Sequence, residues 1–254
     1  MTTTASTDAE PFAAAGGPVG AVLCHGFTGM PGSMRPWAEA LAEAGHTVRV
    51  PLLPGHGTRW QDANQVGWQD WYGELERAFD HTKAQCSQTF LMGLSMGGTL
   101  VMRLAEQRGA DVAGLIVVNG SLFTTRKDAK LLPVLRHLLP SLPPIASDIK
   151  APGVTEPAYD RLPVKAAWQL SKLWELTNAD LGAITQPLLV MTSREDHVVE
   201  TANSERLMSA AGSTDKRQVW LEDSYHVATL DNDLPLIIKE SLAFIEAHRA
   251  DAGH

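Results

Sequence analysis

A serine set between glycines at a strand-to-helix turn constrains this chain more than any other feature. Gln88-Thr89-Phe90-Leu91-Met92 reads as a strand, Gly93-Leu94-Ser95-Met96-Gly97 as a tight turn, and Gly98-Thr99-Leu100-Val101-Met102-Arg103-Leu104-Ala105 as a helix. At such a turn a strained backbone pushes the serine Oγ beyond the sheet edge, and the N–H of the next residue, Met96, faces the same point. Strand and helix pass so closely there that side chains at positions 93 and 97 would collide, which glycine avoids. The Gly-x-Ser-x-Gly pattern alone arises by chance in roughly one chain in ten of this length. Its strand and helix context, and the groups further along the chain, give it weight.

A nucleophilic serine needs a histidine to take its proton and a carboxylate to hold that histidine in one tautomer. Both follow in the chain. Pro187-Leu188-Leu189-Val190-Met191-Thr192 reads as a buried strand, followed by the loop Ser193-Arg194-Glu195-Asp196-His197-Val198-Val199. Gln218-Val219-Trp220-Leu221 reads as the next strand, followed by Asp223-Ser224-Tyr225-His226. Loops at the carboxyl ends of strands are where an α/β sheet places its chemistry, so Asp196 and His226 are the candidate acid and base for Ser95.

Composition narrows the partners. The 254 residues carry a net charge of −8 with 44% hydrophobic content and no basic cluster, which argues against nucleic acid and anionic membrane surfaces and towards neutral substrates. Cys24 and Cys86 form no disulfide framework and no metal pattern. No metal or organic cofactor is expected. The first ten residues lack the basic and apolar regions of a secretory signal, and no run reaches the eighteen or so apolar residues of a membrane span. The expectation is a soluble, cytoplasmic protein with a loose N-terminus.

Further strands are read at Val19–Cys24, Thr47–Leu52 and Val112–Asn119, with helices at Met34–Ala44, Trp68–Phe79 and Leu234–His248. Trp68, Trp71, Leu75 and Phe79 recur at helical spacing as core residues. The alternation predicts one α/β domain over residues 1–254, with a mostly parallel sheet covered by helices on both faces. It breaks at 121–181, a Leu- and Pro-rich stretch without an evident strand. This segment reads either as an ordinary helical excursion or, as its many leucines favour, as a cap whose apolar underside receives an acyl chain.

Acyl transfer builds negative charge on the former carbonyl oxygen, and two backbone N–H groups must already point there. By position these belong to Met96 and to Phe27, in the loop His25-Gly26-Phe27-Thr28-Gly29-Met30-Pro31-Gly32. His25 and His56 are the other conceivable bases. Both read better as structural, with His25 orienting the loop that carries Phe27.

Five segments together, His25–Gly29, Gly55–Thr58, Gly93–Thr99, Glu195–Val199 and Ser224–Asp231, resemble the bacterial monoacylglycerol lipases and the related small thermostable carboxylesterases of bacilli. The likeness runs from about Gly16 to His248. It implies an α/β-hydrolase fold with a small helical cap inserted after the sixth strand, and cleavage of carboxylic esters, monoacylglycerols foremost, through an acyl-enzyme. It further implies that Ile145 and Glu156 lie near the glycerol end of the substrate, and that the cap can touch lipid aggregates transiently. Glu195 neighbours the candidate acid, and Asp223 and Asp231 lie close to His226 in sequence, but the motif places the acid at Asp196. The same set of groups also serves simple carboxylesterases, thioesterases, carbon–carbon hydrolases and peptidases, and a catalytically silent binding module is the alternative outside enzymes.

Overall fold

The computed structural model describes residues 7–144 and 147–249. Nine strands and eight α-helices alternate along most of them. The strands are β1 (Phe12–Ala14), β2 (Val19–Cys24), β3 (Thr47–Val50), β4 (Gln88–Leu94), β5 (Gly114–Val118), β6 (Ser141–Leu142), β7 (Leu162–Pro163), β8 (Leu188–Ser193) and β9 (Lys216–Leu221). The helices are α1 (Arg35–Glu43), α2 (Trp60–Ala63), α3 (Trp68–Lys83), α4 (Met96–Arg108), α5 (Leu132–Leu138), α6 (Val164–Asp180), α7 (Ala202–Ala210) and α8 (Leu234–His248).

The main sheet has seven strands in the order β1-β3-β2-β4-β5-β8-β9, all parallel except the edge pair of β1 with β3. Strands β2, β5 and β8 are buried at every position, as continuous apolar runs covered on both faces must be. On one face, Trp71, Leu75 and Phe79 of α3 pack with Leu100 and Leu104 of α4 and with α6. On the other, Trp37 and Leu41 of α1 pack with Phe244 and Ile245 of α8, and Trp37 Nε1 donates to Ser241 Oγ at 3.1 Å. Trp68, expected in the core, is only partly buried, because it sits at the first position of α3.

Register decides where the chemistry can be. Cys24 pairs with Gly93, Leu94 with Val118, Val118 with Met191, and Ser193 with Leu221. Five parallel strands therefore end at nearly one level, and the loops leaving them share one edge of the sheet.

Two features depart from the sequence reading. Residues Thr7–Ala9 form a short turn whose Ala9 is buried, and β1 follows, so these residues are better ordered than a loose N-terminus implies. The segment between β5 and β8 contains a two-residue antiparallel ladder, β6 with β7, besides α5 and α6. It leaves the fifth strand of this chain by count, since a single short strand precedes β2. Several of its large apolar residues also face outward: Leu131, Val134 and Leu138 are 55%, 60% and 70% exposed.

Candidate active site

Ser95 stands between β4 and α4 with φ 55° and ψ −120°, a backbone conformation that side chains other than glycine seldom adopt. The end of β5, the loop after it and the first turn of α4 hold it there. Its N–H donates to Val118 O at 3.0 Å, and its carbonyl accepts from Thr99 N and Ser121 N at 3.2 and 3.3 Å. An ideal Cβ on Gly97 would lie 2.6 Å from the Cys24 carbonyl carbon and 2.7 Å from His25 O, and one on Gly93 would lie 2.5 Å from Gly98 N. Both glycines are sterically required where α4 passes over β4 and the end of β2.

The acid and base loops meet beside this turn. His226 Nδ1 and Asp196 Oδ2 are 2.8 Å apart, with the two side chains 9% and 2% exposed. The other oxygen of Asp196 accepts from Val198 N at 2.8 Å and Val199 N at 2.7 Å, which fixes the carboxylate from its own loop. Glu195 turns away to Lys150 Nζ at 3.4 Å. Asp231, next in sequence to the base loop, is buried as an acceptor for the N–H groups of Lys150, Ala151, Tyr225 and Asn232. Burial disfavours the His226 imidazolium, but the charge and hydrogen bond of Asp196, with the charges of Glu156 and Asp148, outweigh it and hold His226 above the ordinary histidine value.

The loop after β2 runs alongside. An ideal Cβ on Gly26 would be 3.4 Å from Ser95 Cβ, and Phe27 lines the same cavity as Ser95. His25 Nε2 accepts from Leu53 N at 3.2 Å, so its proton resides on Nδ1, which donates to Gly26 O at 2.9 Å. Gly26 O belongs to the same peptide unit as the Phe27 N–H, so this bond sets the direction of that N–H. Met96 opens α4, and its N–H has no partner one turn back within the helix. Burial lowers His25 to about 3 and His56 to about 4. Both are neutral packing groups, and His56 stacks on Tyr159 with centroids 6.3 Å apart.

A cavity of about 380 Å3 opens over Ser95 and His226. Leu132, Leu142, Leu162, Leu170 and Trp174, from the segment between β5 and β8, form much of its apolar wall. Glu156 lines it as well, half-buried, its N–H bonded to Ser147 Oγ at 2.9 Å. Among the described residues no hydrogen bond reaches its carboxylate. Burial raises that carboxyl to about 7 against the opposing pull of His226, and the absent side chain of Gly29 leaves room for Oε1, 2.8 Å from where a Cβ would stand. Ile145 lies outside the described residues.

Three further residues escape sequence reasoning. Asn119, at the end of β5 with φ 45°, donates from Nδ2 to His226 O at 2.8 Å and Ser193 Oγ at 2.9 Å and accepts from Ser193 N at 2.8 Å. Trp174 Nε1 donates to Ser121 Oγ at 3.1 Å, one residue pair away from Thr99 on α4. Asp148 touches both the acid and the base loop. Asn119 carries a faint signal as a polar residue closing an apolar strand, and the other two carry none.

The chain is similar to several known proteins. A family profile described as serine aminopeptidase, S33, matches residues 20–233. A thermostable monoacylglycerol lipase of Bacillus sp. (strain H-257) is 44% identical over 240 residues, covering 94% of this chain and 95% of the relative. Among solved structures, one from work on the metagenome-derived lipolytic enzymes LipS and LipT superposes with a TM-score of 0.93 at 42% identity, covering 95% and 99% of the two chains. A monoacylglycerol lipase of Paleococcus ferrophilus shares the fold at a TM-score of 0.80 and 20% identity, over 94% and 99% of the chains. With a parallel sheet, a strained serine between β4 and α4, and a family match over most of its length, the chain has the α/β-hydrolase fold and belongs to the hydrolase family described as serine aminopeptidase, S33.

Proposed function

We infer that this protein is a serine ester hydrolase acting on monoacylglycerols, releasing a fatty acid and glycerol through an acyl-enzyme. The observation that carries the reading is the cavity itself, where Ser95 and His226 lie between an apolar wall and the carboxylate of Glu156, which no hydrogen bond reaches among the described residues. The 44% identical relative is named a monoacylglycerol lipase, which supports the same substrate.

His226 takes the proton of Ser95 as Oγ attacks the ester carbonyl, while Asp196 fixes the Nδ1–H tautomer and stabilises the imidazolium. The N–H groups of Phe27 and Met96 receive the oxyanion, each worth about 2.7–4 kcal/mol in the transition state. The tetrahedral intermediate collapses, His226 protonates the departing glycerol oxygen, and the acyl group remains on Ser95. Water, deprotonated by His226, then attacks the acyl carbonyl and restores the serine. The acyl chain lies along the leucine-lined wall, and Glu156 accepts hydrogen bonds from the free glycerol hydroxyls. Residues 121–181 act as the cap over this chamber within the single domain. The outward stripe of Leu131, Val134 and Leu138 suits transient contact with lipid aggregates. No helix among the described residues is long and apolar enough to cross a membrane, and the unpaired thiols of Cys24 and Cys86 favour an intracellular site of action.

Simple carboxylic esters are the second reading, because the apolar wall accepts an acyl chain whatever the alcohol. A panel of monoacylglycerols, p-nitrophenyl esters, acyl-CoA and aminoacyl amides tests both, with monoacylglycerols expected to give the highest kcat/KM. Highest turnover on aminoacyl amides would overturn the ester assignment. Ser95→Ala should lower kcat by about a millionfold, read in protein freed of host esterases.

A further inference from the structure

We propose that Asp148 is a positioning residue for the reaction: its carboxylate bolts the acid loop to the base loop. The proposal rests on the roles assigned to Ser95, Asp196 and His226 above. Asp148 belongs to the segment between β6 and β7, far in sequence from both loops, and its side chain is 13% exposed. Oδ2 accepts from His197 N at 3.0 Å and from His226 N at 3.2 Å, while Oδ1 accepts from His197 Nδ1 at 2.8 Å. Its carbonyl accepts from Val227 N at 3.0 Å. One residue thus joins the neighbour of the acid, His197, to the base itself.

The flanking backbone holds the bolt in place. The N–H groups of Lys150 and Ala151 donate to the two oxygens of buried Asp231, at 2.8 and 2.9 Å, and Lys150 Nζ pairs with Glu195 and Asp223 at 3.4 and 3.2 Å. His226 is then fixed at three points: its N–H by Asp148, its carbonyl by Asn119 and its ring by Asp196. Catalytic geometry is sensitive to displacements of about 1 Å, which can lower rates about a hundredfold.

The charge also matters. The ionisable groups facing His226 are Asp196 from the acid loop, Glu156 from the cavity wall and Asp148, and Asp148 is itself faced by His197. Removing the Asp148 charge withdraws support from the imidazolium, so His226 loses its proton at lower pH. A neutral His226 is the active base, and the acid limb of the rate profile therefore moves down.

The test is the pH dependence of kcat/KM on a p-nitrophenyl ester, with kcat and KM resolved, for wild type, Asp148→Asn and Asp148→Ala. Circular dichroism gives the folded fraction of each. Asp148→Asn keeps an acceptor oxygen for the loop N–H groups and should lower the midpoint by roughly half a pH unit with kcat reduced less than tenfold. Asp148→Ala should lower kcat about 10- to 100-fold with KM within a factor of about three and the same downward shift. Wild-type kcat and midpoint in both variants would overturn the proposal. So would a loss confined to KM, or a rate that falls only with the folded fraction at an unmoved midpoint. If Ser95→Ala retained activity, the underlying assignment would fail instead, so the two failures are distinguishable.

Discussion

Replacing Gly97 with alanine sets two local effects of opposite sign against each other. Gly97 is the second residue of α4, and alanine in a helix is favoured over glycine by about 0.8–1 kcal/mol, so propensity alone predicts a more stable protein. The added Cβ, however, would lie 2.6 Å from the Cys24 carbonyl carbon and 2.7 Å from His25 O, and closer still to Cys24 O, where 3.4 Å begins ordinary contact. The first turn of α4 or the end of β2 must move by about 1 Å or more to relieve the Cys24 O contact, and both are backbone in a fully buried region. Overpacking of this kind costs typically 1–3 kcal/mol and occasionally more, which outweighs the propensity gain. The net loss should reach about 2 kcal/mol, a fall in Tm of up to roughly 8 °C for a chain of this size. Activity should suffer more than stability, because the displaced peptide adjoins Ser95 on one side and the Phe27 loop on the other. A loss of about a hundredfold in kcat corresponds to misplacement of this order. Gly98→Ala is the internal comparison, since its Cβ would meet the Val117 methyl group at 3.0 Å and Gly120 Cα at 3.1 Å, contacts that small adjustments relieve. Thermal melts and ester hydrolysis of both variants read the outcome. A Gly97→Ala protein as stable as wild type, with kcat within threefold of it, would refute the steric account of the turn.

Other expectations concern protons and selectivity. The kcat/KM profile should rise with pH through a midpoint above 6.5, because the Asp196 charge and its partners hold His226 above its ordinary value and only the neutral ring accepts the serine proton; a flat profile from pH 5 to 8 with chemistry limiting would contradict a histidine base. Glu156→Ala should lower kcat/KM for monoacylglycerol by roughly 1–3 kcal/mol of transition-state binding and leave p-nitrophenyl esters little changed, whereas equal losses on both would give Glu156 a structural role.

Most of the fold is legible in the sequence because buried parallel strands are continuous apolar runs. Leu115–Val118 and Leu188–Met191 announce themselves in this way. The misses are elements too short to have a period. β1 is Phe12-Ala13-Ala14, defined by its pairing with Val48–Val50, and the β6–β7 ladder is two residues long and ends in Pro163, a residue that argues against a strand. The run from Leu131 to Leu139 misleads in another way: composition suggests an apolar underside, yet α5 turns Val134 and Leu138 to the outside and Leu132 to the cavity. Among the candidate site residues, Ser95, Asp196 and His226 are readable because each occupies a loop at the carboxyl end of a strand, in an order with chemical meaning. Asn119 and Asp148 are not, since their bonds to His226 span 107 and 78 residues, and no local pattern encodes a partner at that distance.

Those distant partners are needed for a topological reason. Ser95 stands at the end of β4, a strand paired on both sides by β2 and β5 and buried along nearly its whole length, so the strained turn is determined by its surroundings. Asp196 follows β8, which is also paired on both sides, and its loop is further fixed by the bonds from Val198 and Val199. His226 follows β9, the last strand of the sheet, which is paired only with β8 and half-exposed over most of its length. Backbone pairing alone holds that loop more weakly than the other two. Yet the base must meet the serine and the acid to within a fraction of an ångström. The side chains of Asn119 and Asp148 supply what the missing neighbour strand cannot, one from β5 in the middle of the sheet and the other from the segment folded across its edge. The chain thereby ties the placement of His226, the proposed base, to the same segment that walls the cavity, so a shift of that segment is felt at His226 as well as by whatever occupies the chamber.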